Sequence, residues 1–150
     1  MTKKERKEQR RKARRRKRIV VISAAVAALL IGAGAYLYAD HQRRQAVRDL
    51  SAIGNGTPAV VQVHDPSCPV CTDLRNSVRS IEGDYNDSDL LIRVADLTAN
   101  NGMNFAAQHG AQSITLVFLD GDGEYVTQVT GNRPSDSIRD LFDRHIAGDL

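Results

Sequence analysis

Both cysteines of this 150-residue chain fall in one pentapeptide, "SCPVC", residues 67–71. Two thiols at that spacing can exchange disulfides, supply half of a metal site, or close a small structural loop. Pro69 follows Cys68 directly, and proline suits the first position of a helix because its missing N–H would have no intrahelical partner there. A helix starting at Pro69 puts Cys68 at its positive end, where free N–H groups and the dipole stabilise a thiolate. Cys71 then lies one turn inside, within reach of the first sulfur. An exposed nucleophile backed by a sheltered resolving thiol is the arrangement that thiol–disulfide exchange requires.

The alternatives are weaker on their own terms. Structural zinc wants four ligands, usually from two such pairs. Only His41, His64, His109 and His145 could complete the set, and none has paired spacing, so no metal is expected. A static disulfide over so short a loop gives little entropic stabilisation, and two free thiols do not suit an oxidising compartment. "DGDGE", 120–124, has some likeness to a calcium loop, but Tyr125 stands where that loop needs glycine. It reads as a hairpin turn. No cofactor is implied.

The compartment is set by the first 39 residues. Residues 1–18 hold 12 of the 21 Lys and Arg residues against two acids, a net +10, whereas residues 19–150 carry nine Arg and 16 acids, a net −7. So dense a charge run is expected to be disordered. "IVVISAAVAALLIGAGAYLYA", 19–39, has no ionisable side chain other than two tyrosines. As a helix it spans roughly 31 Å, about the thickness of a bilayer core. Its flanking charge places the N-terminus in the cytoplasm and residues 40–150 outside it. Ala33-Gly34-Ala35 keeps a cleaved signal peptide open as the other reading. The basic tail suits anionic lipid headgroups better than nucleic acid, which is not expected as a partner. Ala24, Ala28 and Gly32 have the spacing of close helix pairs, although the ordinary small-residue content of a membrane helix is the better explanation.

The exported part is long enough for one small domain, residues 57–150, after a linker or helix at 40–56. "AVVQVH", 59–64, reads as a buried strand, and Val70, Leu74, Val78 and Ile81 as the inner face of a helix ending at Gly83. Strand 90–95, helix 101–110, strand 114–119, strand 124–131 and a helix N-capped by Ser135 follow. Strand–helix–strand order implies parallel pairing, and the closing hairpin adds an antiparallel edge. The expected fold is an α/β sandwich with a mixed sheet of about four strands, preceded by one transmembrane helix.

"VVQVHDPSCPVCTDL" and "GAQSITLVFLDGDGEYVTQVTG" together resemble the thioredoxin-like superfamily, in particular its membrane-anchored extracytoplasmic members, over roughly residues 57–147. The resemblance implies a thiol–disulfide oxidoreductase with Cys68 attacking, Cys71 resolving, and Gly131 ending the last strand. Ser67, Pro69 and Val70 complete the active-site loop. Three positions depart from the pattern. Ser67 stands where tryptophan is usual, and Gln62 replaces a buried acid, leaving His64 as a candidate proton acceptor for Cys71. Ile114, between Ser113 and Thr115, occupies the place of a cis-proline whose loop faces substrate, and a trans peptide is expected before it. The implied partners are an exported protein thiol or disulfide and a membrane redox partner. A non-catalytic docking module with a static disulfide, and more remotely a thiol-based metal chaperone, are the competing readings.

Overall fold

The computed structural model describes the backbone of residues 3–150 and side chains from residue 20 on. The chain divides into two units, Met1–Arg43 and Arg44–Leu150. In the first, helix α1 (Lys3–Val47) contains a stretch from Val20 that is long and apolar enough to cross a membrane. Its apolar side chains, including Val20, Ile22, Leu30 and Leu37, are exposed. Residues 1 and 2 lie outside the described residues. From Lys3 on, the backbone is helical where the charge run leads one to expect disorder. Lys, Arg, Glu, Gln and Ala are all good helix formers, and the apolar stretch supplies the nucleus they extend.

Ala46, Val47, Leu50 and Ile53 recur at helical spacing, yet the helix stops at Val47 and does not continue to Ile53. The Asp49 carboxylate accepts both the N–H (3.0 Å) and the hydroxyl (2.6 Å) of Ser51, a local turn that competes with helical bonding. Leu50, Ala52 and Ile53 then pack on the core of the second unit, so residues 44–56 fold with the domain.

That domain is built from β1 (Ala59–His64), α2 (Pro69–Glu82), β2 (Leu91–Asp96), α3 (Asn100–Gln108), β3 (Thr115–Leu119), β4 (Tyr125–Thr130) and α4 (Ser135–Ala147). The expected mixed four-stranded sheet is present, in the order β2-β1-β3-β4. β1 pairs parallel with β2 and antiparallel with β3. Alternation along the strands splits the core into two layers. Ala59, Val61 and Val63 face Phe105 and Ala106 of α3, while Val60 faces Leu74 and Val78 of α2 and Ile138 and Phe142 of α4. Gln62 and His64 share the Val60 face, which places both beneath α2.

β2 and β4 are each shifted or trimmed by a residue from the expected 90–95 and 124–131, and three further boundaries differ. Ile114 precedes β3 instead of opening it. α3 begins at Asn100 and ends at Gln108, with Gly110 (φ 59°) closing the turn. α4 has Pro134, not Ser135, at its N-cap, because proline's fixed φ (−67°) holds the extended entry without a side-chain cap. The β3–β4 turn is organised by Asp120, whose carboxylate accepts the N–H groups of Asp122 (3.0 Å) and Glu124 (2.8 Å). Those bonds give the acidic loop a structural role.

Candidate active site

Cys68 is the N-cap of α2, its backbone extended (φ −97°, ψ 115°), and its Sγ accepts the Cys71 N–H at 3.3 Å. An amide aimed at this sulfur stabilises negative charge on it. Proline at the first helical position makes the geometry local to four residues. The approach is fixed by Asp65, whose carboxylate accepts the N–H (2.9 Å) and hydroxyl (2.7 Å) of Ser67 while its carbonyl accepts the Cys68 N–H (3.1 Å). Ser67 therefore acts as a turn former. The Ser67 hydroxyl and N–H hold the exposed Asp65 carboxyl below its ordinary range.

Cys68 is partly exposed and Cys71 has 0% of its surface in contact with solvent, and both sulfurs are free thiols. Val70, between them, is 44% exposed. Burial pushes the Cys71 thiol up, and its hydrogen bond with the Cys68 sulfur adds to this. The Asp65 N–H and the Ser113 hydroxyl, as hydrogen-bonding groups near the Cys71 thiol, act in the other direction. Ser113 is thus the residue of the 113–115 segment that touches the thiol pair. Thr115 turns inward, buried, with its hydroxyl 3.0 Å from that of Thr130. Ile114 is half-buried against the α2–α4 core layer and adopts a left-handed backbone (φ 66°). No peptide bond among the described residues is cis.

Beneath the thiols, Gln62 is buried and its Nε2 donates to the Cys71 carbonyl at 3.4 Å, while its Oε1 has no partner. A glutamate here would be isosteric, but it would have to keep its proton to make the same bond. Its folded pKa would rise above the unfolded value near 4.3, leaving stability intact below that pH and lost as pH climbs through the raised value. Gln62→Glu should match the wild type in urea unfolding at pH 4 and fall about 2–3 kcal/mol below it by pH 7. A deficit independent of pH would show that the site is not closed to charge.

His64 is half-buried, with Nδ1 shielded from solvent and without a hydrogen-bond partner. Burial moves the ring below its ordinary pKa, against the opposing pull of the Asp96 carboxylate, the Cys71 main chain and Asp65; Arg75 reinforces the downward shift. Asp96 pairs with His64 in the β1–β2 register. It is 7% exposed, and its Oδ2 lies 3.3 Å from Arg48 Nη2. Burial alone would raise its carboxyl, but bonds from the Thr98 hydroxyl and N–H, with Arg48 and His64, hold it below the usual range. Sequence reasoning passed over Asp96 and Arg48. The available signal was an acid ending a buried strand at the same register as His64.

The other histidines lie elsewhere. His145 Nε2 is 2.9 Å from the Leu119 carbonyl, and His109 stacks between Phe105 and Tyr125. His41 belongs to α1. Among the described residues there is no cluster of three or more metal-ligating side chains.

The sheet order, the flanking helices and a cysteine pair at the N-terminus of α2 define a thioredoxin-like redox fold. Relatives agree with it. The chain is 27% identical to thioredoxin 2 of Chlorobaculum tepidum over 114 residues, 76% of this chain and 98% of that one. It is 26% identical to thioredoxin of Porphyra purpurea over 63% of this chain and 86% of that protein. Among solved structures, a malaria parasite thioredoxin-2, described as a component of protein secretion machinery, superposes with a TM-score of 0.52 at 18% identity, covering 59% of this chain and 84% of its own. Thioredoxin of Malassezia sympodialis gives 0.53 at 17% identity over 64% and 83%. No family model matches the chain.

Proposed function

We propose that the protein is a thiol–disulfide oxidoreductase anchored by α1 in the bacterial inner membrane, with its domain on the extracytoplasmic side. The observation that carries the reading is the Cys71 N–H directed at the Cys68 sulfur while Cys71 itself is fully enclosed. An accessible, amide-stabilised thiolate attacks the substrate disulfide, forming a Cys68–substrate bond and releasing one substrate thiolate. Cys71 then attacks Cys68, the second substrate sulfur leaves, and Cys68–Cys71 becomes the disulfide. Substrate gains the two electrons that the pair loses, and oxidation of a client runs the same steps backwards. The relatives named thioredoxin support this chemistry. The +10 tail ahead of the apolar stretch supports the orientation, with anionic lipid at the cytoplasmic face and an exported protein thiol or disulfide as client. A membrane redox partner would return the pair to its working state.

Cys71→Ser in cells should trap covalent, dithiothreitol-sensitive adducts on Cys68, visible on non-reducing gels. Cys68→Ser should abolish them. Absence of adducts, together with a wild-type disulfide that resists glutathione, would assign the domain to static docking instead.

A further inference from the structure

Resolution of a mixed disulfide needs the Cys71 proton to leave first, and Cys71 is enclosed and its thiol is pushed up by burial. The groups that favour its thiolate, the Asp65 N–H and the Ser113 hydroxyl, steady it once formed but accept no proton near neutral pH. Gln62 carries only an amide. The Asp65 carboxylate is exposed and occupied by Ser67. His64 remains. It shares the face of β1 with Gln62, whose amide touches the Cys71 carbonyl, and its Nδ1 is buried with no partner.

We infer that His64 is the proton acceptor for Cys71 in the resolving step, and that Asp96, opposite it on β2, is the residue that positions its charge. This rests on the exchange reading above. In the step, the His64 imidazole takes the Cys71 S–H proton, and the Cys71 thiolate attacks Cys68. The Cys68–substrate bond breaks, and the departing substrate thiolate is protonated by the imidazolium or water. A neutral ring at pH 7 is the form needed, consistent with the downward shift from burial. The charged groups facing the ring are Asp65 from its own loop, Arg75 from α2, and Asp96 from β2 with Arg48 behind it; the Cys71 carbonyl adds a dipole. Together they leave the ring able to accept and then release a proton.

The test uses the full chain in detergent. Cys68 is loaded with thionitrobenzoate from the aromatic disulfide reagent at low pH, and thionitrobenzoate release by Cys71 is followed at 412 nm across pH 5–8. Wild-type release should rise through an inflection below the free-histidine value of about 6.5. His64→Gln should slow release at pH 7 by about 100-fold and lose that inflection, with the initial attack of Cys68 on the reagent unchanged. Asp96→Asn should keep the inflection but move it down by about half a pH unit or more, since a charge favouring the protonated ring is gone. Unchanged release rate and profile in His64→Gln would overturn the assignment while leaving exchange intact. A wild type that forms no mixed disulfide, or never resolves it, would overturn the exchange reading and the role of His64 with it.

Discussion

Replacing Ile114 with proline, the residue a thioredoxin-like loop would carry there, should destabilise this domain by about 3 kcal/mol or more. The reason is geometric. Ile114 has φ 66°, whereas proline is locked near −65°. The Ile114 N–H also donates to the Val63 carbonyl at 3.2 Å, at the point where β3 begins to pair with β1, and proline has no such donor. The Ile114 carbonyl in turn accepts the Gly131 N–H at 2.9 Å. The neighbouring backbone is built around a left-handed residue, so a proline does not fit this position. A β-branched side chain in this region costs roughly 1–2 kcal/mol, and its half-buried body recovers a similar amount. Ile114→Gly should accordingly stay within about 1 kcal/mol of wild type, strain relief offsetting lost packing. Urea unfolding of the detergent-solubilised chain, followed by near-ultraviolet circular dichroism, reads both variants. A proline variant as stable as wild type would mean the left-handed conformation is not required.

Gly102→Ala should be at least as damaging, with a loss of about 3–4 kcal/mol or no recoverable fold. An added Cβ would lie 2.6 Å from both the carbonyl carbon and the amide nitrogen of Asp96, and nearer still to its oxygen. These are main-chain atoms at the end of β2, held by its pairing with β1, and no side chain can swing aside to make room. Any movement of β2 that relieves the overlap also shifts Asp96 relative to His64 and Arg48. The same substitution at Gly83, which has open space and an ordinary helical φ of −71°, should be close to neutral. Equal effects at the two positions would refute the close approach of α3 to β2.

The contrast between those glycines shows what the sequence makes legible. Helix α2 could be read residue by residue because its apolar spacing and Pro69 are local signals. The sheet followed from β-branched runs and from strand–helix–strand order. Ile114 could not be read in the same way. "SITLVF" looks like uninterrupted strand, and the left-handed residue at its start is enforced by Val63 and Gly131, both distant in sequence. The stop of α1 at Val47 had a local cause, the Asp49–Ser51 turn, masked by helical spacing that continues to Ile53. Within the site, Cys68, Cys71 and His64 were legible from type and position. Ser113 was legible only as part of a loop, and Asp96 became meaningful once the β1–β2 register set it opposite His64.

The central position of β1 bears on how a proton can travel. Both edges of this strand are hydrogen-bonded, to β2 and to β3, so its backbone opens only when the sheet itself comes apart. For a domain of ordinary stability, 5 kcal/mol or more, that opened state is held by roughly one molecule in several thousand or fewer. Pairing on both edges of β1 thus holds Gln62 and His64 at fixed positions beneath α2, so the inferred proton route through His64 needs no backbone rearrangement.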